Sequence, residues 1–348
     1  MYCWGANSHG QLGLGFCSEM CAKPQQVECL PFELHTVRTV SGGGGHTLVS
    51  TNNGDLFGCG WNNRGQLGLG HTEDVHRFAL VGSYNFDNVT CGWDVSGALT
   101  VDGDVYLWGS NVWQQVADKS LKYVSRPAKF ELPGQMKAKT IHFGLRHTCI
   151  LSDNGTIFLF GRAKWLAKDN FQSILHGGIE MYYLMYPEGI VDVVSGENHL
   201  VIKLEQNIIM CIGDNKFGQS PSGLDLNPNK LEVVQLKSGW AHSGYSTSNG
   251  SVYLWGRNNH GQLGVPLAER PNEVILLKLN GRVMKFCLGS QHGIALATDG
   301  VYTWGWNEHG NCGTGGDENV LIPTRVDGIG KIDEIAAGAG FCIVLRKM

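Results

Sequence analysis

The chain repeats itself. The segment VYLWGSN ending at Asn111 recurs as VYLWGRNNHGQLG ending at Gly264 and as VYTWGWNEHGNCG ending at Gly313. Looser copies run from Tyr2 to Gly15, Leu56 to Gly70, Ile157 to Ala163 and Ile209 to Gln219. Each copy turns on one glycine: Gly5, Gly60, Gly109, Gly161, Gly213, Gly256 and Gly305, spaced 55, 49, 52, 52, 43 and 49 residues apart. Seven units of about fifty residues describe an array in which each unit adds its own slice of core. The 348 residues therefore need not be divided, although a single undivided core usually stops growing near ~250–300 residues.

A second signature, Gly-x-x-His, precedes each anchor glycine. It ends at His46, His147, His199, His242 and His292, while Val95 and Phe341 fill the same slot in the other two units. From its glycine to the next anchor is 17 residues in five units and 16 in a sixth. The seventh unit closes only across the termini, with FCIVLRKM supplying one part and MYCWG the other. Short alternating strands such as Val301–Trp304 lie between Gly and Asn turns, as in antiparallel sheets. The expected fold is all-β: a seven-bladed β-propeller over residues 1–348, closed by pairing of N- and C-terminal strands, which leaves no long sheet edge exposed. An open solenoid would need polar caps and would not split one repeat between the ends.

Composition narrows the function. Glycine contributes 49 residues, about twice the usual ~7%. These glycines recur at repeat positions with no helical pattern behind them, so they read as turns and not as a phosphate cradle. The net charge is −4, with no dense basic run, which argues against direct nucleic-acid or anionic-membrane binding. The opening MYCWGANSHG lacks a basic, apolar leader, and no stretch approaches the ~18 apolar residues of a membrane helix. The 11 cysteines show no disulfide framework; a reduced chain in the cytoplasm, extending to the nucleus, is the expectation. The sequons at Asn88, Asn154 and Asn249 would then be chance matches.

The histidines, 13 in all, are spread by the repeat around an axis, whereas a metal needs ligands converging on one point. A blade-internal hydrogen bond from each imidazole is expected instead. Cys17, Cys21 and Cys29 share one inter-repeat stretch but lack a fourth ligand, so they read as reduced thiols in an accessible loop, with no metal or other cofactor expected. No nucleophile, base and orienter stand in a recognisable catalytic context. Tryptophan discriminates better. Trp4, Trp108, Trp255 and Trp304 fill one repeat slot and read as core between blades, whereas Trp61, Trp93, Trp113, Trp165, Trp240 and Trp306 depart from the repeat. Aromatic residues on rigid loops are common interface anchors.

The motif WGxNxxGQLG with an upstream Gly-x-x-His resembles the propeller family named after the regulator of chromosome condensation, from Tyr2 to Leu345. TCGWD (Thr90 to Asp94), SGWAH (Ser238 to His242) and YTWGWNEHGNCG (Tyr302 to Gly313) look closest to two branches: the secretion-regulating exchange factors of animals, and the alpha-tubulin-suppressor or killer-toxin-insensitivity propellers of fungi. The fungal resemblance implies a non-enzymatic interaction protein that binds the small CSL zinc-ribbon protein of diphthamide synthesis and supports diphthamide and Elongator-dependent tRNA wobble-uridine modification. The animal resemblance implies guanine nucleotide exchange on a small GTPase, although neither of the longest expected loops, Gly15 to Val37 and Arg162 to Ile190, reads as a wedge. The expected partner-binding residues are Trp93, Asp94, Trp240, His242, Trp306, Glu308 and His309.

Overall fold

The computed structural model describes all residues except 117, 119, 164–170, 223–224, 228, 267–272 and 347–348. Trp165 falls outside the described residues. The described residues form seven antiparallel sheets, the blades of a propeller. Blade one comprises Val37–Gly42, His46–Thr51, Asp55–Gly60 and Val75–Ser83, counted outward from the axis. Blades two to six begin at Phe86, Ala138, Ile190, Val233 and Val283.

Blade seven is built from both ends of the chain. Its strand order places Glu334–Ala337 and Phe341–Leu345 beside Tyr2–Asn7 and Ser18–Gln26. Across the seam Tyr2 faces Val344, Cys3 faces Ile343, Trp4 faces Cys342 and Gly5 faces Phe341. The hydrophobic side chains of this seam are buried: Cys3, Trp4, Phe341, Ile343 and Leu345 join the clusters that fill the joints with blades one and six. Ring closure is thus a sheet register together with packed core on both sides.

Two regions depart from four strands per blade. Blade three has Ile179–Leu184 as its fourth strand and one extra strand, Gln172–His176, outside it, making five. Blade four shows three strands among its described residues. Arg162 to Ile190, expected as a loop, is therefore partly sheet. The same holds for Gly15 to Val37, where Ser18–Gln26 is the outer strand of blade seven. Cys21 lies within that strand, while Cys17 precedes it and Cys29 follows it. A nine-residue strand spans about 30 Å, so these three thiols cannot meet at one ion.

Deleting Met1 to Gly5 would unpair the whole seam and leave a row of buried backbone groups unsatisfied. The truncated protein is expected to melt at least about 5 °C lower and to aggregate on heating. Equal melting temperatures in a calorimetric scan would contradict closure through this seam.

Candidate functional site

The two sequence signatures build one face of the ring. All seven anchor glycines have φ between 89° and 120°, in the left-handed region that strains any residue with a Cβ. A Cβ on Gly5 would stand 2.5 Å from the Gly340 carbonyl oxygen. The residue after each anchor donates its N–H to the second x residue of the same blade's Gly-x-x-His turn, for example Trp61 to Gly45 at 2.7 Å, Ser110 to Asp94 at 2.8 Å and Trp306 to Gln291 at 2.9 Å. Anchor loop and turn are thereby fastened together.

The consensus polar residues are then consumed by the loops. The Asn two residues past six of the anchors accepts the N–H five residues on, at 2.7 to 3.3 Å. The Gln side chains of Gln11, Gln66, Gln115, Gln219 and Gln262 accept the N–H two residues back, at 2.8 to 3.0 Å. The repeat-slot tryptophans are buried and donate to the preceding blade's loop: Trp108 to the Gln66 carbonyl at 2.9 Å, Trp304 to Gln262 at 2.9 Å, and Trp4 to Asn311 at 3.0 Å.

The imidazoles do not bond within their own blade, as the sequence reading had it. They reach the next one. His46 Nε2 meets Ser96 Oγ at 2.9 Å, His199 meets Ser243 at 2.7 Å, and His292 meets the Cys342 thiol at 3.3 Å. His147 uses Ser195 instead, at 2.8 Å, because Leu200 fills the position of the hydroxyl. His242 finds only Gly293 at that position, and its Nε2 has no partner. At 1% exposure it cannot touch a partner protein, so it leaves the recognition set. Among the described residues, no three His, Cys, Asp or Glu side chains gather to hold a metal ion.

The other chosen residues share the loop face. Trp93 of blade two and Trp240 of blade five meet with ring centroids 5.4 Å apart, tilted by 51°. Their turns help line an axial vestibule to which all seven blades contribute. Two indoles from nearly opposite blades therefore span the axis. Asp94, beside them, has its carboxyl pushed up by burial, while the Ser110 hydroxyl and the guanidiniums of Arg64 and Arg146 pull it back down. Trp306 and His309 pack edge to face at 5.0 Å, next to exposed Glu308.

Sequence reasoning missed the partners of the remaining aromatics. Trp113, 39% exposed, lies between the guanidiniums of Arg146 and Arg162, each 5.0 Å from its ring. Phe217 lies between Lys216 at 5.1 Å and Arg257 at 4.5 Å. Trp61 stacks on His9 of the neighbouring loop at 5.1 Å. Aligning the fourth residue past each anchor (His9, Arg64, Trp113, Trp165, Phe217, His260, His309) was the available signal, since that slot carries rings in six of seven loops. The face presents indoles, stacked cations and scattered carboxylates on a rigid frame, and this composition suits protein recognition.

A family model described as the RCC1-like domain matches residues 1–344. The chain belongs to this family. Among curated relatives of this RCC1-like propeller is the secretion-regulating guanine nucleotide exchange factor of Mus musculus, 32% identical over all of this chain and 84% of that protein. Among solved structures, Prp20p of Saccharomyces cerevisiae superposes with a TM-score of 0.85 at 21% identity, covering 99% of this chain and 90% of that one. Human WBSCR16 gives 0.81 at 20% identity, covering 99% and 98%.

Burial holds the imidazoles of His46, His142, His199 and His242 at about 3, and those of His147 and His292 at about 4. They are neutral in the fold, whereas the unfolded chain titrates near ~6.5. The unfolded state alone then takes up protons, so stability is full above about pH 6.5 and is lost as pH falls towards 4. The RCC1-like propeller is expected to lose stability steadily between about pH 6.5 and pH 5, each imidazole contributing at most ~1.4 kcal/mol per pH unit. Denaturant melts across that range check it, and a flat profile would contradict the buried histidines.

Proposed function

We propose that this RCC1-like propeller is a non-catalytic recognition ring that engages a small GTPase through its loop face and promotes release of its guanine nucleotide. The observation that carries the reading is the Trp93–Trp240 pair, held at the axis by turns from opposite blades. The exchange-factor name of a relative that aligns with the whole chain supports the choice of partner. Exchange needs a surface that keeps its shape while it distorts another protein's nucleotide pocket. A ring whose loops are fixed by their own side chains supplies that surface. Indoles give buried anchor area, and Asp94 and Glu308 set the orientation. Residence in the cytoplasm, extending to the nucleus, belongs to the same proposal.

The fungal resemblance supports a second reading, in which the same face takes the CSL zinc-ribbon protein. Its support is the turn sequences Thr90 to Asp94 and Ser238 to His242, which place both axial tryptophans. One experiment separates the two. Tagged protein is used for affinity capture from lysate, with and without EDTA to strip nucleotide, followed by mass spectrometry. A GTPase enriched in the nucleotide-free state, and released from fluorescent GDP faster by the purified protein, supports exchange. Recovery of the zinc-ribbon protein without a GTPase reverses the order.

Replacing Trp93 or Trp240 by Ala is expected to weaken partner binding by ~2 kcal/mol or more with a small change in melting temperature. Trp255, 1% exposed in the core of blades four and five, is the control: Trp255→Ala should cost ~3–5 kcal/mol of stability. Calorimetric titration beside a thermal melt measures both. Unchanged affinity in both loop variants would remove this face.

A further inference from the structure

Below the tryptophan pair the axis widens into a cavity of about 560 Å³, lined by the innermost strands of all seven blades. That volume falls in the ~300–1,000 Å³ range of small-molecule sites. Its wall is polar for a structural reason. In blades one to six the innermost strand slips register after its first residue, as between Val37 and Thr39 or Val233 and Gln235. This bulge turns the third residue of each strand, and the fifth, to the cavity. The third position is polar in every blade: Thr39, Asn88, Thr140, Asp192, Gln235, Lys285 and, in register, Glu334.

One side of the cavity satisfies itself. Lys285 and Glu334 form an ion pair at 2.5 Å, Arg38 is bound to Asp87 at 3.0 Å, and Thr39 bonds Ser50 at 2.7 Å. The side formed by blades three to five does not. Thr140 Oγ1, His142 Nε2 and Gln235 Oε1 are buried without a partner. Asp192 accepts the N–H of Val193 at 2.9 Å, and among the described residues neither it nor Lys237 beside it joins an ion pair. The other two lysines near Asp192 are committed elsewhere, Lys139 to the Val191 carbonyl and Lys203 to that of Val233. Burial keeps the His142 imidazole neutral, with Lys237 pushing the same way, and its unpartnered Nε2 donates a hydrogen bond in the tautomer that carries the proton there.

Three orphaned polar atoms, with Asp192 and Lys237 attracting one another but making no direct ion pair among the described residues, lie on one wall of one cavity. Buried groups of this kind are costly unless they are matched. We propose that this wall binds a small zwitterion, no larger than a dipeptide, with its carboxylate on Lys237, His142 and Thr140 and its ammonium on Asp192 and the Gln235 carbonyl oxygen. A bare anion would leave Asp192 facing it, and a bare cation would leave Lys237. The Trp93–Trp240 pair caps the axis on the loop face, so the ligand enters from the opposite face, where Arg38 and Lys139 stand. The site is therefore independent of the partner-binding reading.

The test is calorimetric titration of the whole protein, without partner, using glycine, L-glutamine and glycylglycine, with sodium acetate and ethylammonium chloride as half-molecules. At least one zwitterion is expected to bind with a Kd of about 1 mM or tighter, and both half-molecules at least about tenfold more weakly. Lys237→Met and Asp192→Asn should each weaken it at least about tenfold, as loss of one partner of a buried pair does. His142→Gln, which exchanges one neutral group for another, is the variant to use if either of those fails to fold, and it should weaken binding as well. No heat from any of the three zwitterions would overturn the proposal. So would acetate binding as tightly as they do, or variants that bind like the parent.

Discussion

Among the described residues, backbone hydrogen bonds between the Gly-x-x-His turns run around the axis from blade three through blade seven to blades one and two, and only the joint between blades two and three has none. The first x residue of the Gly-x-x-His turn donates in Leu145 to Glu197, Glu197 to Trp240, Trp240 to Ser290, and Ser290 to Ala339, at 3.0 to 3.2 Å. Ala339 then donates to Gly43 and Gly44 to Trp93, at 2.9 and 3.1 Å. Each bond is worth only ~0.5–1.5 kcal/mol net, but none can be lost alone, since the turns are also bound to the anchor loops. These bonds need closely spaced backbones. Glycine opens all seven turns, because a Cβ at Gly43, Gly196, Gly239 or Gly289 would collide with the imidazole of its own turn.

This constraint divides the residues into two kinds. Consensus Asn, Gln, Trp and most of the His side chains are spent inside the ring, bonding their own loop or the neighbouring blade. Function is left to the departures from the repeat, because only they are not already committed. The two indoles at the axis, the ring between Arg146 and Arg162, and the ring between Lys216 and Arg257 all occupy slots that the ring itself leaves open. The same division operates in the channel, where the third position of each inner strand packs against no sheet and is free to carry charge.

The architecture was legible because it is periodic: the anchors, the shared seventh blade and the four core tryptophans stand where spacing puts them. Hydrogen bonding between blades was not legible. The hydroxyl that meets His46 lies fifty residues downstream in Ser96, and nothing local to His46 reveals it. The same blindness placed His242 on the surface, since a histidine whose partner slot is Gly293 looks the same in sequence as one facing a serine. The stretch Gln172–Leu184 was read as loop because the extra outer strand Gln172–His176 precedes the fourth strand and has no counterpart to align with. Stacking of cations on Trp113 and Phe217 joins residues from neighbouring loops, which also lies beyond a reading along the chain.

Native-state hydrogen exchange tests the central claim, that the loop face is held rigid by the hydrogen bonds that run from turn to turn. The account predicts that the amides of Gly44, Leu145, Glu197, Trp240, Ser290 and Ala339, although they sit in turns, exchange only through global unfolding and share the protection of the inner strands. Exchange of these amides at the rate of ordinary surface turns, while the strands stay protected, would contradict it.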